Sequence, residues 1–182
     1  MATYCFVGES ADNNGIPYGE FGAGVYRRRV DLPYLIAHPE KLALATAPNS
    51  PLTSFSGFVQ NDVLELFQVP IGYLPMLAAV RVNTVEGATA AAEIGISDDF
   101  VGATADADGL MESVDLNAAA SEVSEGTSTV PPATILDGAQ PKIAITEGAA
   151  ITMTFTTNDT YAVAIFDVAI FGAMLLPENM ER

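Results

Sequence analysis

From Ser56 onward, apolar and polar residues alternate in short runs separated by turn residues, a period of two that predicts β-strands. Gly57-Phe58-Val59-Gln60 leads into Val63–Val69, where Val63, Glu65, Phe67 and Val69 share one face and Leu64, Leu66 and Gln68 the other. Neither face is cleanly polar, which predicts a sheet covered on both sides. Pro70-Ile71-Gly72 closes the run with turn chemistry. A second strand is expected over Met76–Thr84, with Val80 and Val82 alternating with Arg81 and Asn83, and a third, Ala-rich one over Thr89–Ile96. In Ala150–Thr157, Ile151, Met153 and Phe155 alternate with threonines, the half-buried pattern. Asn158-Asp159 marks a turn, Tyr161–Leu176 supplies one long strand or two, Pro177 stops it, and residues 178–182 form a short charged tail.

Between these runs lies a long irregular region, residues 97–140, rich in Asp, Gly, Ala and Ser. Short strands at Gly109–Leu116 and Ala133–Leu136 would order parts of it, and Lys142–Thr146 follows as another. Structureless loops longer than about 12–15 residues usually bind something. The body, residues 56–177, thus holds about seven or eight strands, joined by turns and without βα alternation. That predicts an all-β fold: an antiparallel β-sandwich, jelly-roll-like.

Residues 1–55 read differently. Ile16-Pro17, Leu32-Pro33, His38-Pro39, Ala47-Pro48 and Ser50-Pro51 punctuate the segment, and each proline pushes its predecessor toward extended geometry. Tyr4, Phe6, Tyr18, Phe21, Tyr26 and Tyr34 recur through it, whereas disordered tails are poor in aromatics. The expectation is an extended N-terminal arm that packs on its own body or on a neighbour, separable from a body that folds without it. Pro39, followed by Glu40, predicts the start of a short helix.

Composition changes this picture in one respect. Charged residues are 16% of the 182 and hydrophobic ones 49%, against about 25% charged in average domains. A chain of this length buries about 70% of its unfolded surface, and the charge-poor remainder is expected to be covered by partner chains. The charge present is lopsided, 23 acidic residues against 7 basic, for a net charge of −16. Such a field opposes nucleic acid and anionic membranes. The sequence start has no basic-then-apolar leader, and Asp167 interrupts the longest apolar stretch, so a soluble protein is expected.

Candidate chemistry is sparse. One cysteine, Cys5, and one histidine, His38, allow neither an internal disulfide nor a four-ligand zinc site. His38 has no G-x-S-x-G serine to serve, and Gly22-Ala23-Gly24 lacks the lysine and helix of a phosphate loop. Asp106-Ala107-Asp108-Gly109 resembles part of a calcium loop, but that register starts at Thr104 and ends at Asp115 where glutamate is wanted. Carboxylate pairs are abundant by chance in so acidic a chain. No enzyme, cofactor or metal site is expected. The most unusual feature is Arg27-Arg28-Arg29, three of the seven basic residues in one run. Together with Tyr18, Phe21, Tyr26 and Tyr34 it is the expected partner-binding set, anchoring the arm on acidic surface of a neighbour.

The body also carries a resemblance. Val63–Val69 with Pro70-Ile71-Gly72, the run Ala79–Thr89 with Ile94-Gly95, Asp108-Gly109 with Val114–Ala118, and Phe166-Asp167-Val168 resemble small tailed-phage virion proteins. Several members of that group are head decoration, or cement, subunits. The resemblance spans residues 60–172 and rests on turn and strand signatures. It implies a structural virion protein with no catalytic residues, assembled in the host cytoplasm and placed on the head surface. It would contact the major capsid protein and sister subunits as a homotrimer or other cyclic oligomer. The alternative expectation is a tail-associated sandwich that recognises host glycans.

Overall fold

The computed structural model describes residues 1–7, 23–87, 89–97, 106–117, 123–125, 144, 149–157 and 160–174. Their strands are β1 (Thr3–Phe6), β2 (Ala23–Asp31), β3 (Leu42–Leu44), β4 (Val63–Val69), β5 (Tyr73–Thr84), β6 (Ala91–Ile96), β7 (Asp106–Asp115), β8 (Val123–Glu125), β9 (Ala149–Phe155) and β10 (Ile165–Met174). One sheet has the order β3-β1-β4-β9-β6-β7 and the other β2-β10-β5-β8. Every pairing is antiparallel except β1 with β4, which run parallel through Thr3↔Val63 and Tyr4↔Leu64. The larger sheet is therefore mixed, a departure from the wholly antiparallel expectation. The chain changes sheet at most connections, the wiring of a jelly-roll-like sandwich.

The two sheets bury one face each against the other. Tyr26, Tyr73, Val80, Val82, Phe166, Val168 and Ile170 from one layer join Leu64, Leu66, Phe67, Ile94, Ile151, Met153 and Phe155 from the other in a single core. Tyr26 meets Tyr73 edge-on with ring centroids 5.0 Å apart and reaches across to Phe67 at 5.7 Å.

A β-bulge explains why β4 reads as two-faced. Glu65 pairs with Thr152 and Phe67 with Ile151, so Leu66 is the extra residue. The inserted position shifts the alternation by one. Leu64 and Leu66 before it and Phe67 and Val69 after it all reach the core, while Val63, Glu65 and Gln68 stay on the partly exposed face. The expectation of a strand covered on both sides is thus corrected. The same device acts in β5, where Phe171 pairs with Leu77 and Gly172 with Pro75, leaving Met76 as the insertion. Tyr73 points inward before it and Ala78, Val80 and Val82 after it, and Met76 and Leu77 are left exposed.

The N-terminal segment is woven into both sheets. β2 pairs with β10 from Asp31↔Ile165 to Ala23↔Ala173, and β1 lies between β3 and β4. Asp62, itself buried, accepts hydrogen bonds from the Ala2 and Val59 amides at 2.8 and 3.1 Å and ties β1 to the body. A short helix, α1 (Leu32–Ala37), starts where Asp31 accepts a hydrogen bond from the Tyr34 amide at 3.0 Å, and it buries Leu32 and Leu35. The helix expected at Pro39 is a single 3-10 turn, Pro39–Lys41. An arm separable at residue 55 is therefore not what these residues form: removing 1–50 would remove β1, β2 and β3. Long-range strand pairing, invisible to local patterning, is the reason.

The Gly109–Leu116 expectation corresponds to β7, and β8 also falls within 97–140. Ala144 exchanges backbone hydrogen bonds with Gly72 and Tyr73, at 2.8 and 2.9 Å. Ala133–Leu136, the rest of Lys142–Thr146 and the tail 178–182 lie outside the described residues.

Candidate docking surface

Strand geometry divides the arginine run. Side chains alternate across a sheet, so Tyr26, Arg28 and Val30 point inward from β2 while Arg27 and Arg29 point out. The Arg28 guanidinium lies over the Phe6 ring, 4.1 Å from its centroid, and 5.3 Å from that of Phe67. Arg28 thus caps the rim of the core, a cation–π contact. Tyr26 is 2% exposed, so it serves the core and presents nothing to a partner. Tyr34 is 47% exposed on α1, its ring 4.5 Å from that of His38. Tyr18 and Phe21 lie outside the described residues.

The register of β2, β10 and β5 builds a surface around the two outward arginines. Arg29, Asp167 and Arg81 form one row across the strands, and Arg27, Ala169 and Ala79 form the next. A third row holds Val25, Phe171 and Leu77, continued by the bulged Met76. The result is a shallow groove of about 410 Å³ with Ala79 and Ala169 in its floor and arginines at its rim. Asp167 is held in place by the Asn83 side-chain amide, which donates to it at 2.7 Å. Among the residues lining the groove, arginines outnumber the one carboxylate, Asp167, in a chain of net charge −16, and Glu125 of β8 pairs with Ala79 at its border. At its far end Met76 (54%), Leu77 (43%) and Phe171 (36%) form an exposed apolar border.

The outer face of the larger sheet has the opposite sign. Glu65 and Glu93 are half-buried there, and Glu112 and Asp115 are exposed on β7, its terminal strand. A bulge sets Glu112 and Ser113 together opposite Glu93, since Met111 pairs with Ile94 and Val114 with Ala92. Burial, and then the negative charge of Asp108, hold the Glu93 carboxyl above the usual range.

Arg81, Ala79, Ala169 and Asp167 were not in the expected partner-binding set. Alternation in β5 points Arg81 outward, but only the pairing of β10 with both β2 and β5 sets it across Asp167 from Arg29. The calcium-loop comparison fails structurally, because Asp106–Asp115 is an extended strand rather than a wrapped loop. Among the described residues no cluster of three His, Cys, Asp or Glu could hold a metal ion. No described helix is long and apolar enough to cross a membrane. His38 sits exposed beside Glu40, and Cys5 is buried in β1.

No protein-family model matches the chain, and no curated protein does. Solved structures do. A chain of the "Cyanophage Pam1 capsid asymmetric unit" aligns with 88% of this chain and 92% of its own length at 15% identity and a TM-score of 0.48. A chain of the "Capsid of Ralstonia phage GP4" aligns with 89% of this chain and 90% of its own length at 13% identity and a TM-score of 0.54. The jelly-roll-like sandwich of this protein is therefore a fold also found, nearly end to end, in a chain of a bacteriophage capsid structure.

Proposed function

We propose that this chain is a structural virion protein of a tailed phage, a decoration or cement subunit on the outer surface of the head. The observation that carries the reading is the shared fold with the Ralstonia phage GP4 capsid chain, which spans about nine-tenths of both chains. Two features of the molecule support it. Three of its exposed apolar residues, Met76, Leu77 and Phe171, border an arginine-lined groove, an arrangement suited to a permanent partner. Its 16% charged content is low for a surface that faces only water. The partners are sister subunits, in a closed cyclic oligomer such as a trimer, and the major capsid protein. Many repeated contacts on a symmetric shell add avidity, so no single interface has to be tight. The reading assigns the chain no catalytic step, cofactor, nucleic acid or membrane, and it places assembly in the host cytoplasm.

Cryo-electron microscopy of purified particles tests this. The expected result is density for this sandwich at repeated positions on the head exterior, in a fixed ratio to the major capsid protein. Particles that lack the chain, or that carry it on the tail alone, would overturn the proposal.

A further inference from the structure

The two outer faces of this sandwich are complementary in sign. On the smaller sheet, Arg29 and Arg81 flank Asp167 on neighbouring strands. Two strand spacings separate those arginines by about 9.5 Å. On β7, Glu112 and Asp115 are both exposed, three positions apart in sequence. The bulge opposite Glu93 shortens that interval to two strand rises, ~7 Å, a difference the long glutamate and arginine side chains can span. Next to the Arg29–Asp167–Arg81 row the floor is Ala169 and Ala79, whose small side chains leave room for another backbone. β7 in turn is the outermost strand of its sheet, with one edge unpaired among the described residues.

The geometry points to a contact between copies of this chain, in which the acidic β7 edge of one copy lies across the arginine groove of the next. Glu112 and Asp115 of the first copy sit over Arg29 and Arg81 of the second, and the apolar border of Met76, Leu77 and Phe171 closes the far end. The occupant is a second copy because the chain supplies both signs. The groove is rich in arginine, and the terminal strand of the opposite sheet presents exposed acids within side-chain reach of those arginines. The two patches lie on different faces, so the contact is head-to-tail. Such contacts close into rings when the rotation allows. This is the symmetry a cyclic subunit needs, and in that sense the inference rests on the reading of the chain as an assembling virion subunit.

Charge inversion tests it on the full-length protein. R29E/D167R/R81E inverts the row while keeping its alternation of sign, and E112R/D115R inverts the edge. Sedimentation velocity across a concentration series at low salt reads the assembly, and circular dichroism melts read the fold of each variant. The wild type is expected to form oligomers. Each inversion alone is expected to weaken association at least about tenfold, and all five substitutions combined to restore it. Ala169→Gln fills the groove floor without altering charge and is expected to weaken association as well. A monomeric wild type would overturn the contact. So would oligomers that survive the groove inversion, or an edge inversion without effect. Failure to recover assembly in the five-fold variant would do the same. Peptide mass spectrometry of purified particles separates these outcomes from the virion reading, because incorporation of the chain does not depend on how its copies touch.

Discussion

Glu86 holds three successive backbone amides, those of Ala162, Val163 and Ala164, at 2.7, 2.8 and 2.6 Å. One carboxylate thus joins the end of β5 to the segment that leads into β10. Replacing it by alanine leaves those donors without the acceptor and should cost about 1–3 kcal/mol in urea unfolding. Gly57 has a positive φ of 114°, and a Cβ there would lie 2.4 Å from the Tyr161 carbonyl oxygen. Gly57→Ala should therefore destabilise by at least about 1 kcal/mol in the same measurement. Glu93 gives a pH signature. Its carboxyl is held above the usual range, by burial first and Asp108 second. The folded state then binds this proton more tightly than the unfolded state, and stability falls as the pH rises through the carboxylate range. Glu93→Gln should raise the melting temperature near pH 7, and the gain should vanish below about pH 4.

At the scale of elements, β2 shows how a strand assigns roles by alternation. Arg28 covers the Phe6 ring, whereas Arg27 stands in solvent. Arg28→Ala should cost about 0.5–2 kcal/mol. Arg27→Ala should fall within about 0.5 kcal/mol of wild type, and paired denaturation curves compare the two. The woven N-terminal segment makes a sharper prediction. Deleting residues 1–50 should abolish the β-sheet signal in circular dichroism, because three strands leave with them.

For the whole molecule, the core tyrosines set the alkaline limit. Burial raises the pKa of Tyr73 and Tyr26, and Tyr73 is raised further by the neighbouring Tyr26. Tyr4 moves the same way, by burial first and the charge of Asp62 second. Such groups stay protonated in the folded state while the unfolded chain ionises, so their contribution is complete below the ordinary tyrosine value and is lost above it. The melting temperature should therefore fall steadily once the pH passes 10.0. The two outer faces also differ in sign, with arginines on one sheet and carboxylates on the other. Association between them should weaken as salt rises, because exposed charges are screened over about 8 Å at physiological ionic strength.

Local pattern alone determined the β class and the bounds of β4, Val63–Val69, together with the turn at Ile71-Gly72. These are short-range matters, set by side-chain period and turn chemistry within a few residues. What the arginines do was decided only in three dimensions. Reading Arg27-Arg28-Arg29 as one anchor ignored the pleat that sends Arg28 inward, and no local signal places Arg81 across Asp167 from Arg29. The bulges at Leu66 and Met76 were equally hidden, because an inserted residue looks like a broken alternation until its partner strand is known. The N-terminal strands likewise read as an arm, since their partners lie far along the chain and pairing at that distance is settled by the burial of a common core.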